Sequence, residues 1–404
     1  MRKYLFLFTF LLLSAKSFAQ DKDFNYKFYG QIRTDFYYNS RANEETVDGL
    51  FYMYPKDKVR DEDGNDLNST PNSNFYTLYS RLGVDVAGPK LGTAKTSAKV
   101  EIDFRGTGTS YSVIRLRHAY LNLDWGKSAL LLGQTWHPLF GNVSPQILNL
   151  SVGAPFQPFS RAPQIRFRYK AGDIQLTGAA IWQSQYLSQG PDGKSQKYIK
   201  ESCIPEIYIG ADYKRSNWLV GAGIEMISLK PRTQSVVEDE VYKVDERVTA
   251  LSYEVHMKYT SPLWYVAAKS ILGSNLTQVS MLGGYGVKST DARTGEQEYS
   301  PNRNSSSWLN IAYGKKWKPA VFLGYMKNLG TSDEISKMYG TGTNVDQLVS
   351  TSAELTYNVP HWKLGVEYNL TSAWYGSMKS SNGKIIDTHS VSNNRLVATV
   401  LFMF

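Results

Sequence analysis

What this chain can become is limited first by a pattern that repeats from about residue 25 to its last residue. In short segments along it, side chains alternate between a mostly apolar face and a mostly polar or charged one. In KFYGQIRTDFYY (27–38), Phe28, Gly30, Ile32, Thr34 and Phe36 share one side, while Lys27, Tyr29, Gln31, Arg33 and Asp35 share the other. SAKVEIDFRG (97–106) sets Ala98, Val100, Ile102 and Phe104 against Lys99, Glu101, Asp103 and Arg105. LSYEVHMKY (251–259) repeats the arrangement, with Glu254, His256 and Lys258 on its polar side. A period of two defines a strand with unlike faces. A soluble sandwich also alternates, but here strand after strand loads its polar face with charge. Lipid outside and a wet lumen inside account for that.

Sixteen such segments can be traced, the first at 25–38 and the last at 394–404. The connections alternate between short and long. Short ones fall at 88–93, 126–127, 172, 215–216, 261, 318 and 360, and long ones around 39–74, 107–112, 137–162, 186–203, 230–247, 274–304, 329–346 and 374–393. Tight turns at one end and long loops at the other are the layout of an outer-membrane barrel. The sequence therefore predicts an all-β fold: a transmembrane antiparallel β-barrel of sixteen strands.

The nine tryptophans sort the same way. Trp125, Trp218, Trp264, Trp317 and Trp362 adjoin short turns. Trp136, Trp182, Trp308 and Trp374 lie where a strand meets a long loop. This placement predicts indole belts at the two water–lipid boundaries. The last strand, RLVATVLFMF, places Leu396, Ala398, Val400, Phe402 and Phe404 on one face. That face predicts contact with lipid, with the strand closing onto the first so that no edge is left open. A final aromatic resembles the signal read by the outer-membrane assembly machinery, and Phe404 is assigned that role.

Arg2-Lys3, the apolar run 4–13 and Ser17-Phe18-Ala19 read as a secretory leader, residues 1–19, leaving 20–404 as one barrel domain. Outside this run no stretch of about 18 apolar residues offers a spanning helix. The lone Cys203 excludes an intramolecular disulfide. The net charge is +9, three units of it in the leader, and the remaining basic residues are dispersed. Export and dispersion both disfavour nucleic acid as a partner. The implied location is the bacterial outer membrane.

IRLRHAYLNLDWGKSALLLGQTW (114–136) combines an Arg-x-Arg-His-Ala-Tyr strand, a glycine turn and a strand ending Gly-Gln-Thr-Trp. It resembles the DcaP-like trimeric porin family. The resemblance implies a homotrimer and passive uptake of small, often anionic solutes. The chain departs from many members, which carry a periplasmic helical extension before the barrel.

The loop 137–162 holds Pro138, Pro145, Pro155 and Pro158 with many apolar side chains, and Arg161 is its only formal charge. So apolar a loop must be covered. It is the third long loop, and it is expected to fold inward and constrict the lumen, or else to pack against a neighbouring subunit. The charges facing the lumen are uneven. Arg33, Arg81, Arg105, Arg115, Arg117, Arg166, Arg168 and Lys170 come from the first six strands, interrupted by Asp85, Glu101 and Asp103. Glu206, Asp212, Glu225, Glu254, Glu354 and Glu367 come from the later ones. Rings of charge set pore selectivity, and arginine grips carboxylate or phosphate. Arg81, Arg115, Arg117, Arg161, Arg166 and Arg168 are therefore the expected selectivity residues, for small anionic solutes such as carboxylates.

DEDGND (61–66) could offer oxygens to calcium, but its spacing fits a solvated turn better. No cofactor or metal site is expected. His118, His137, His256, His361 and His389 form no recognisable triad, so no catalytic residue is assigned and no enzymatic activity is expected. A phosphate-selective porin, a lipid-acting barrel hydrolase and an adhesion barrel are the other readings.

Overall fold

A computed structural model describes residues 24–46, 49–105 and 113–404. The expected leader lies outside the described residues. Sixteen long strands are numbered in chain order. They are β1 (Asn25–Asn39), β2 (Arg81–Leu91), β3 (Ala94–Asp103), β4 (Arg115–Asp124), β5 (Ser128–Trp136), β6 (Arg161–Ala171), β7 (Ile174–Ile181) and β8 (Glu206–Arg215). There follow β9 (Trp218–Leu229), β10 (Val248–Thr260), β11 (Trp264–Ser274), β12 (Gln297–Tyr313), β13 (Trp317–Gly330), β14 (Val345–Val359), β15 (Trp362–Met378) and β16 (Ile385–Met403).

Each strand pairs antiparallel with its neighbours in sequence, and β16 pairs with β1 from Gln31↔Met403 to Asn39↔Arg395. The sheet is a closed barrel with no free edge. Burial is the reverse of a soluble protein's. Asp103, Glu206, Asn310, Thr356 and Glu367 on inward faces are buried, while Phe28, Ile209, Val255, Leu323 and Val366 are exposed. On β16, Leu396, Val400 and Phe404 face outward, as the alternation requires.

The belt at the short-turn end is as expected. Trp125, Trp218, Trp264, Trp317 and Trp362 are all exposed, and four lie 4.6–4.8 Å from an aromatic ring on the paired strand. The opposite belt is thinner than expected. Trp182 and Trp374 point outward, but Trp308 is buried in the lumen and Trp136 stacks inside on Phe140 at 3.9 Å. Strand parity, and not nearness to a loop, decides the face.

Three boundaries also differ. The sequence predicts a second strand over 75–87, but it is broken at 77–80, between a short segment Asn72–Tyr76 and β2. Arg161 opens β6 instead of ending the loop. The expected long connection 374–393 shrinks to 379–384, because β15 and β16 run on past the membrane as a ribbon.

Candidate functional site

The third long loop (137–160) folds into the lumen and is fastened to the far wall. Its apolar side chains replace water there, and wall side chains satisfy its backbone. Lys258 Nζ donates to Asn142 O at 2.6 Å, Tyr265 Oη to Ser144 O at 2.6 Å, and Lys269 to the carbonyls of Leu139 and Phe140. Glu354 Oε2 accepts the Leu148 N–H at 2.8 Å. Glu367 Oε2 accepts from Leu148 and Asn149 at 2.7 and 2.8 Å. Trp308 Nε1 donates to Gln157 Oε1 at 2.9 Å, which explains its inward face. Phe156 lies flat over Gly324, where a Cβ would come within 2.7 Å of the ring. From the near wall, Arg33 Nη2 reaches Leu148 O at 2.6 Å.

A second loop joins the constriction. Within the first long connection, the hairpin Asn43–Thr46/Phe51–Pro55 dips into the mouth. Phe51 packs edge-on against Phe159 at 5.0 Å, and Tyr375 Oη holds Pro55 O at 2.7 Å. The apolar run Phe51-Tyr52-Met53-Tyr54 was a visible signal for this, but it was passed over among polar neighbours.

The arginines divide into two kinds. Arg115 is bidentate to Asp103 at 2.6 and 3.0 Å. Arg117 bridges Glu101 at 2.5 Å and Asp103 at 3.0 Å. Both are among the expected selectivity residues, and each is paired with acids on adjacent β3. Arg81, Arg105, Arg161, Arg166 and Arg168 have no carboxylate partner among the described residues. Arg105 lies between the rings of Phe51 and Tyr79, 4.8 and 5.6 Å from their centres. Arg161 sits 4.6 Å from Trp136 and donates to Tyr186 Oη at 3.0 Å. Nε and Nη1 of both guanidiniums meet no acceptor. Arg166 bonds Gln164 Oε1 at 2.8 Å and Trp136 O at 2.5 Å, and Arg168 bonds Asn122 Oδ1 at 3.3 Å.

Burial raises the Tyr186 phenol, but the guanidiniums of Arg161, Arg115, Arg105 and Arg117 outweigh it and hold the group below its ordinary value. Neither Tyr186 nor Tyr79 is singled out in the sequence: Tyr186 opens a long connection without a strand register, and Tyr79 sits where the predicted second strand breaks.

Two chambers flank the loop. The outer one, about 560 Å³, is lined by Arg105, Arg115, Lys194, Tyr186 and Phe51 among others, with no carboxylate among the described lining residues. The inner one, about 350 Å³, is lined by Arg166, Arg168, His137, Tyr208, Asp212 and His256. His256 faces Asp212 at 2.8 Å and Glu254 at 3.3 Å, so both ring nitrogens meet carboxylates and neither meets a nucleophile. At 61–66, Asp61 turns its oxygens onto the N–H groups of Asp63 and Asn65 and the Asn65 amide. The Asn65 side chain foremost holds that carboxyl below its usual range.

A closed sixteen-stranded barrel, apolar outside and polar inside, with an inward third loop, defines an outer-membrane porin fold. No protein-family model matches the chain, and no curated protein does. Solved structures do. The DcaP outer-membrane channel of Acinetobacter baumannii superposes with a TM-score of 0.69 at 20% identity, over 96% of this chain and 99% of that one. In-vitro folded OmpT of Vibrio cholerae gives 0.57 at 12% identity, over 96% and 99%. OmpF of Salmonella typhi, in complex with daunomycin, gives 0.54 at 11% identity, over 95% and 99%. The DcaP-like architecture suggested by residues 114–136 is thus the architecture of the whole barrel.

Proposed function

We propose that this barrel is a passive channel for small hydrophilic solutes and that it prefers anions, carboxylates above all. One asymmetry carries the reading. On the β1–β6 side Arg105 and Arg161 keep unpaired N–H groups, whereas on the far wall Glu354 and Glu367 accept N–H groups of the loop. A buried charge without a partner is costly. An anion entering the outer chamber relieves that cost, and the described lining of that chamber offers a cation no carboxylate. Arg81, Arg166 and Arg168 extend the positive lining above and below the loop, while Arg115 and Arg117 order it through Asp103 and Glu101.

The same reading takes the working form to be a homotrimer; OmpT of Vibrio cholerae has been seen in a trimer form. It also takes residues 1–19 as a cleaved leader, Phe404 as the assembly signal and the chain as a channel without enzymatic activity.

Reversal potentials across a planar bilayer in a potassium chloride gradient test the proposal. Chloride should be preferred at low salt. The preference should fade near 1 M, where the Debye length is about 3 Å. Potassium preference at low salt would overturn the charge argument. Replacing chloride by phosphate separates a general anion channel from a phosphate-selective one.

A further inference from the structure

At the root of the constriction loop, three side chains that could bind a metal converge without a fixed cation among them. His137 is the first residue of the loop, Glu206 opens β8 and Glu225 lies on β9. A ligand atom from each lies within 4.8 Å of the others. Their exposures are 1%, 1% and 0%. Gln278, 1% exposed, sits in the turn Thr277–Val279 of the loop after β11. Its amide reaches both acids, donating to Glu206 Oε2 at 3.1 Å and Glu225 Oε1 at 3.3 Å. Gln183 Nε2 covers Glu206 Oε1 at 2.8 Å.

Two other buried acids are paired with fixed cations, Asp103 with two arginines and Glu254 with Lys269, while Glu354 and Glu367 share the Leu148 N–H of the loop. Here two carboxylates face one imidazole. Glu225 Oε2 meets no hydrogen-bond partner among the described residues, and neither does Gln278 Oε1, the other end of the amide whose nitrogen faces both acids. Paired buried carboxylates repel unless a proton or a cation lies between them.

We propose that His137, Glu206, Glu225 and Gln278 form a structural site for a divalent cation of the zinc type. Imidazole and carboxylate are its usual donors, and four protein ligands make a closed, non-catalytic site. Turning the Gln278 amide over presents its unpartnered oxygen as the fourth ligand. His137 holds its proton on Nε2, facing Glu206 Oε2 at 3.2 Å, while Nδ1 accepts the Leu139 N–H at 3.2 Å. Coordination through Nε2 requires the tautomer that carries its proton on Nδ1 and gives up the Leu139 contact. The cation would staple the loop root to β8, β9 and the loop after β11. That last loop already grips the far end of the constriction, where the Phe159 N–H donates to Val279 O at 2.7 Å. The ligands are scattered along the chain and show no spacing motif.

The test uses the full-length barrel, folded in detergent with zinc chloride or with EDTA and then exchanged into metal-free buffer. Metal analysis should find about one zinc ion per wild-type chain. Glu225→Gln and His137→Gln, which keep shape and hydrogen bonding, should retain less than about a tenth of that. Zinc should also raise the wild-type melting temperature. Wild-type protein with no zinc above the Glu225→Gln background overturns the site, and the two glutamates then share a proton. Should both variants fail to fold, melting of the wild type decides, and no rise with zinc overturns the proposal. None of these outcomes depends on ion selectivity.

Discussion

Gly30 and Phe404 exchange two backbone hydrogen bonds, Gly30 N–H to Phe404 O at 2.9 Å and Phe404 N–H to Gly30 O at 3.1 Å. The chain's last residue therefore completes the seam between β16 and β1. Its ring lies over Gly30, where a Cβ would come within 2.6 Å of the ring and 2.9 Å of Arg81 O. Glycine leaves the last aromatic its seat at the seam.

Two losses can be told apart there. Deleting Phe404 removes ring and hydrogen bonds together, whereas Phe404→Ala keeps the backbone pair. Gly30→Leu displaces the ring while Phe404 remains. All three should lower the amount of heat-modifiable barrel in the outer membrane, the deletion most. Wild-type yields from the deletion would remove the assembly role.

The loop's fastening gives a second prediction. Leu148 and Asn149 hang from Glu354 and Glu367, and a buried donor left without an acceptor costs about 1–3 kcal/mol. Glu354→Ala with Glu367→Ala should loosen the loop tip. Single-channel current should become noisier, and thermal stability should fall by a few kcal/mol at most. Shortening the loop between Gly141 and Gln157 should raise conductance outright while the barrel still folds. Unchanged conductance would show that the loop does not limit flow.

Much of this fold could be read from the sequence because its rule is local. Alternation fixes which way each strand residue points, and Ile165, Phe167 and Tyr169 are exposed beside inward Arg166 and Arg168 as read. The short-turn tryptophans followed from the same rule. What could not be read is which side chains pair between neighbouring strands. Arg115 and Arg117 look as free in the sequence as Arg105, because the register of β3 against β4 decides that Asp103 faces Arg115. Loop paths are equally hidden, which concealed Tyr79, Tyr186, the inward turn of Phe51 and the far-wall role of Trp308.

Tyr186 supplies a pH dependence. Its phenol is pulled below the ordinary value of about 10 by the guanidiniums around it. Below its folded pKa it is neutral and the full arginine charge acts on the lumen. As pH rises through that value, a phenolate forms beside Arg161 and cancels part of the field. Anion preference should therefore decline on the alkaline side before free tyrosine ionises, and Tyr186→Phe should abolish that early decline. An identical pH profile for the variant would remove Tyr186 from the selectivity machinery.

The last prediction separates the arginines by their partners. At about 4 Å and an effective dielectric near 20, a unit charge pair is worth roughly 4 kcal/mol before desolvation, so a small surviving fraction biases ion traffic. Arg105 and Arg161 have no ion-pair partner among the described residues, and Arg105 lines the outer chamber. Arg166 and Arg168 line the inner one, which Asp212 shares, and they already donate to Gln164, Trp136 O and Asn122. Arg105→Ala with Arg161→Ala should therefore lower the chloride-to-potassium permeability ratio more than Arg166→Ala with Arg168→Ala, and both should lower it. Arg115→Ala behaves differently. It leaves Asp103 to Arg117 alone, so folded yield should fall along with selectivity. Reversal potentials at low salt on each folded variant give the order. A larger loss from the inner pair would move the selectivity filter below the loop.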